Sequence, residues 1–82
     1  MNNLEHWDTI MVLSHYACGY VNGDMSGYEE HDIAHVDRLA SDYPFNEYVL
    51  DWKFDDGTEF AECDICGMLG DCVTVEVYRF KD

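Results

Sequence analysis

The residues best equipped for chemistry are four cysteines and four histidines. Cys63-Asp64-Ile65-Cys66-Gly67 has the form of a zinc knuckle, and Cys72 follows six residues later. A structural zinc ion needs four nitrogen or sulfur ligands in tetrahedral array. Cys18 can supply the fourth, or a histidine can. His31 and His35 stand four apart, a spacing that puts both on one side of a helix. Against this, the chain has no second knuckle. Thiols of an intracellular chain are ordinarily free, and a buried Cys63 can serve as a small apolar side chain. The sequence therefore predicts free thiols, solvated histidines and no cofactor. A zinc-stabilised module using Cys63 and Cys66 with Cys72, Cys18 or His31 and His35 is the alternative.

No catalytic constellation appears. Ser14, Ser26 and Ser41 lie in no nucleophile elbow. Asn22-Gly23-Asp24 is too poor in glycine to cradle a phosphate, and its acid repels one. His15 and Cys18 are three apart, but the thiol falls in an apolar stripe. A non-enzymatic role is expected.

The carboxylates are the chemistry present in quantity. Eighteen Asp and Glu face four Lys and Arg, a formal net charge of -14 over 82 residues. Small folded domains ordinarily carry a net charge of magnitude about 2–8. Disorder does not follow, because 48% of the residues are hydrophobic and 15% aromatic, unlike charged disordered segments. So large an excess costs stability through self-repulsion and repels nucleic acid and anionic membranes. The expected partner is a basic surface.

Elements must position these acids. Leu4, Trp7, Ile10, Met11, Ala17, Cys18 and Val21 recur at helical spacing and predict a first helix, ending near Asn22-Gly23-Asp24. Ser26 or Glu29-Glu30 opens a second helix with Ile33, Val36, Leu39 and Ala40 as its apolar stripe. Tyr43-Pro44 stops it. Residues 47–54 alternate as a strand, Asp56-Gly57 signals a hairpin, and residues 58–65 return. Residues 72–80 form a third strand with Val73, Val75 and Val77 on one face. The expected fold is a single α+β domain of 82 residues, two N-terminal helices packed on a three-stranded antiparallel meander.

A two-residue turn at Asp56-Gly57 puts Asp51 opposite Glu62 and Leu50 opposite Cys63. Asp51, Asp55, Glu62 and Asp64 then share the open face, joined by Glu47 and by Glu76. Like charges directly opposite in a sheet are destabilising, and a broken local rule tends to mark function. Carboxylates at strand spacing can stand in for backbone phosphates. Acids of the second helix (Glu29, Glu30, Asp32 and Asp37) extend the negative surface.

The segment Val21-Asn22-Gly23-Asp24-Met25-Ser26-Gly27, followed by Tyr28-Glu29-Glu30 and an aliphatic helix, resembles a segment of small acidic proteins of bacteriophages, plasmids and other mobile elements. These carry an Asn-Gly-Asp-x-Ser-Gly turn between two helices and a later Gly-Asp-Val-Leu-type strand. Here that strand reads Leu69-Gly70-Asp71-Cys72-Val73, with Cys72 a departure. The likeness covers residues 15–40 and 68–78. As a class, such proteins include anti-restriction and anti-CRISPR inhibitors. The resemblance implies an origin in a phage or other mobile element acting in the bacterial host cytoplasm, and the charge predicts that the protein mimics nucleic acid. It would block a CRISPR effector or restriction enzyme, touching neither nucleic acid nor membrane itself. A small interaction adaptor, its charge serving only solubility, is the second expectation.

Overall fold

The computed structural model describes residues 3–81. The order of elements is β1 (Asn3–Leu13), α1 (Ser14–Asn22), α2 (Glu30–Asp42), β2 (Tyr48–Trp52), a single 3-10 turn (Phe54–Asp56), β3 (Glu59–Glu62) and β4 (Leu69–Lys81). The chain is α+β, with two helices and a four-stranded antiparallel sheet.

The first correction to the expected fold is that the chain opens with a strand. Residues 14–22 are helical, but Asn3–Leu13 pairs along β4 from Asn3 opposite Lys81 to Leu13 opposite Cys72. The reason is a register shift between His6 and Asp8. A bulge inserts one residue and breaks the period of two. Trp7 thereby packs under the Arg79 guanidinium, 4.7 Å from its ring centroid, and beside Tyr48. Arg79 shares the sheet face of Val75 and Val77 by alternation, as does Ile10 opposite Val75. Trp7 and Ile10, three apart, thus reach one side, and this imitates the spacing of a helix.

The second correction is that β2 and β3 do not form a hairpin. Both add to β4, which is 13 residues long. β1 lies along one edge of β4; on the other, β2 pairs with Val75–Arg79 and β3 with Leu69–Cys72. Asp56-Gly57 instead closes the 3-10 turn, and the Gly57 N–H donates to the Phe54 carbonyl. Gly57 sits at φ 80 and ψ -163, outside the geometry of the expected two-residue turn. The run Cys72-Val73-Thr74-Val75-Glu76-Val77 is the stronger template. It is rich in β-branched residues suited to a half-buried pleat, and the full 13-residue length of β4 accepts two short strands end to end.

Val73, Val75 and Val77 are fully buried, as their alternation predicts. Ile10 and Val12 of β1, Tyr16 and Ala17 of α1, and Val36 and Leu39 of α2 complete that core with Cys63, Ile65 and Cys72. Ile65 is buried, and its carbonyl accepts from Arg38 Nη1 of α2 at 3.1 Å.

The turn between the helices is built as its residues suggest, apart from one detail. Gly23 takes the left-handed conformation (φ 69) that closes α1, its N–H donating to the Gly19 carbonyl. Asp24 Oδ1 accepts from the Ser26 backbone N–H at 3.0 Å and from the Ser26 hydroxyl. This is an Asx turn. Ser26 therefore does not cap α2, which begins at the alternative start, with Glu29 as its N-cap.

Candidate functional site

The expected acidic face is only partly assembled. Asp51 lies in β2 directly opposite Glu76 of β4, so a cross-strand pair of carboxylates exists, with Glu76 in place of Glu62. Glu62 faces Leu69 instead. Repulsion at the Asp51–Glu76 pair is offset on both sides. Lys53 Nζ lies 2.9 Å from Asp51 Oδ2. Glu76 Oε1 accepts from the Thr9 hydroxyl at 2.6 Å and from His6 Nε2 at 2.7 Å. These two hydrogen bonds, Thr9 first, hold the Glu76 carboxyl below its ordinary range.

The remaining acids of the expected face are dispersed. Glu47 is exposed just before β2, and its carbonyl accepts the Phe80 N–H at 3.0 Å. Asp55 is exposed in the 3-10 turn. Asp64 leaves the sheet face for the edge of β1. Its N–H donates to the Met11 carbonyl at 2.8 Å, and its Oδ2 accepts the Met11 N–H at 2.7 Å. Thr74, opposite Met11, gives its own carbonyl to the Lys53 N–H on the β2 side. The Met11 groups must therefore point off the outer edge of the sheet. Asp64 covers them, which is one way an edge strand is protected.

Among the acids expected on the second helix, Glu29, Glu30 and Asp37 are exposed. Asp32 is a correction: it is buried and turns toward α1. His15 Nε2 lies 3.2 Å from one of its oxygens and His31 Nε2 3.2 Å from the other. Burial works upward on the Asp32 carboxyl, but the His15 hydrogen bond and both imidazoles outweigh it and leave the group below its ordinary range. His15 also stacks on Tyr28 at 4.3 Å, and the Tyr28 hydroxyl donates to the His15 carbonyl at 2.8 Å. Asp32 thus joins the helices and is unavailable as a phosphate stand-in.

The other described acids are exposed or half-buried. Asp32 is the one buried charged residue among the described residues. The four cations are all engaged: Arg38 near Asp42 at 3.8 Å, Lys53 on Asp51, Lys81 near Glu5 at 4.0 Å, and Arg79 over Trp7. Beyond Glu5, Asp42 and Asp51, no carboxylate among the described residues has a Lys or Arg partner within 4.0 Å.

Cys63 and Cys72 are buried, Cys66 is half-buried and Cys18 is exposed. Burial pushes the Cys72 thiol up to about 11, and the nearby Cys63 and Cys66 thiols push the same way. His31 is drawn to Asp32 and Glu29, and His35 packs on Tyr16 at 5.4 Å. Among the described residues no three His, Cys, Asp or Glu side chains converge in a way that could hold a metal ion. They enclose no detectable pocket, and no helix is long and apolar enough to cross a membrane.

One group escaped the sequence reading. Phe60, Met68 and Leu69 of the β3–β4 hairpin are 70%, 58% and 66% exposed. A signal was present, since Phe60 lies in the same alternating phase as Glu62. The shifted register hid it.

Comparison with protein families, with curated proteins and with solved structures found no match to this chain.

Proposed function

We propose that the protein is a non-enzymatic acidic inhibitor that occupies a Lys/Arg-lined nucleic-acid site on a bacterial defence complex, a CRISPR effector or a restriction enzyme. The observation that carries this reading is the disposition of charge. The four cations are engaged within the fold, and every described acid except Asp32 keeps some contact with solvent. A field of this sign steers a basic partner to the surface and competes with nucleic acid for it.

The acids proposed to take part are those that the fold leaves accessible. Glu47, Asp55 and Glu62 are exposed, and Glu29, Glu30 and Asp37 extend them along α2. Asp51 and Glu76 contribute as a neighbouring pair on the sheet. Asp32 and Asp64 are structural. Mimicry here is a matter of field and spacing over several elements, without a single row of carboxylates on one strand face.

The test is inhibition of DNA binding. Purified CRISPR effectors and restriction enzymes are titrated with the protein in the presence of labelled DNA, from low to high salt. Displacement of DNA that weakens as salt rises supports the reading. Unchanged DNA binding across the panel removes it.

A further inference from the structure

The β3–β4 hairpin presents a surface that charge alone does not explain. Phe60 pairs with Asp71, and Glu62 pairs with Leu69. Directly paired residues project to the same face. Phe60, Glu62, Leu69 and Asp71 therefore form a checkerboard in which an apolar and an acidic side chain alternate in both directions. Diagonal neighbours in such a ladder lie about 7–8 Å apart, within reach of an aromatic and a long side chain. Met68, next to Leu69 in sequence, is 58% exposed. Single exposed apolar side chains are ordinary, but contiguous ones rimmed by polar groups mark interaction sites.

We infer that this checkerboard is the anchor that grips a basic protein partner, and that the partner offers an apolar or aromatic recess between Lys or Arg side chains. The inference rests on the proposed basic partner and adds where and how it is held. Charge complementarity selects the occupant. A second copy of this chain brings another -14 and is repelled. An anionic bilayer is repelled in the same way. A cationic surface without a recess satisfies Glu62 and Asp71 but leaves Phe60 and Leu69 in water. Sites for single-stranded nucleic acid combine a positive groove with aromatic platforms, and Phe60 between carboxylates is the matching shape. Buried aromatic anchors inside a polar rim carry most of the energy of an interface.

Two defined peptides of equal charge test this by amide chemical shifts: oligolysine, and a peptide alternating Lys and Leu. The Lys–Leu peptide should bind about tenfold or more tightly than oligolysine at 0.15 M salt, as expected of an anchored contact. Its shifts should centre on residues 59–62 and 68–71. The exposed double variant F60A/L69A should lose that preference and bind oligolysine as the parent does. Equal affinity for both peptides, shifts centred elsewhere, or a preference kept in F60A/L69A overturns the anchor. The DNA-displacement assay is run on the same proteins. Displacement with no peptide preference removes the anchor and leaves the acidic reading. Preference without displacement does the reverse.

Discussion

Asp64 exchanges two hydrogen bonds with the backbone of Met11, one through its N–H and one through its carboxylate. The pair ties segment 63–68 to the free edge of β1, 53 residues away in sequence. Removing the carboxylate leaves the Met11 N–H without its partner. A hydrogen bond to a charged group contributes about 1.5–3 kcal/mol, less where water can replace it. Asp64→Ala should therefore lower stability in urea by about 1–2 kcal/mol. Asp64→Asn keeps an acceptor oxygen and should cost less, while Asp55→Ala, at an exposed acid, should stay within about 0.5 kcal/mol of the parent. Equal effects of Asp64→Ala and Asp55→Ala would show the edge contact to be without weight.

Glu76 makes stability depend on pH. Its carboxyl is held below the ordinary range, so it binds a proton less readily in the fold than in the unfolded chain. Its contribution is complete above the unfolded Glu value of about 4.3 and is lost as pH falls through the lower folded value. Glu76→Gln should thus be less stable than the parent at pH 7, and the gap should narrow as pH is taken below 4. Asp32 has the same sign, since its folded value is also lowered. Urea titrations at stepped pH check both; a gap that is constant with pH contradicts the assignment.

Leu39 is the fully buried side chain by which α2 enters the core. Truncation removes apolar burial and leaves a cavity. Leu39→Ala should cost about 2–5 kcal/mol. The loss should appear as a lower urea midpoint. A change under about 1 kcal/mol would mean that α2 packs loosely on the sheet.

Excess charge should make added salt stabilising. Self-repulsion among the surface carboxylates is screened over about 10 Å at 0.1 M salt and about 3 Å at 1 M. The melting temperature should rise between those concentrations, by about 4–8 °C for each kcal/mol regained in a domain of this size. A temperature independent of salt would place the exposed acids too far apart to repel.

The legible part of the fold was whatever kept one unbroken period. Val36 and Leu39 of the expected α2 stripe, and the alternating Val73, Val75 and Val77, bury as their spacing demands, whereas Ile33 is half-buried and Ala40 exposed. β1 was not legible, because the bulge after His6 puts Trp7 and Ile10 on one side and counterfeits a helix. The pairing of β2 and β3 was not legible either. Asp56-Gly57 is a local hairpin signal, whereas the partner of Asp51 is set by β4, 25 residues further on. For the site, the outward acids followed from composition. The inward turn of Asp32 followed from His15 and His31, and the role of Asp64 from Met11, neither of which spacing reveals.

The most direct measurement compares two sets of acids in one DNA-displacement assay against a CRISPR effector or restriction enzyme that the parent protein inhibits. The first set is Glu47→Gln, Asp55→Asn and Glu62→Gln combined, all at exposed positions. The second is Asp64→Asn, also exposed but with its carboxylate held on the β1 edge by the Met11 N–H. The combined variant should keep the parent's melting temperature or exceed it, while losing displacement and much of its salt dependence; Asp64→Asn should displace DNA as the parent does. Full displacement by the combined variant, with salt dependence unchanged, would contradict the account.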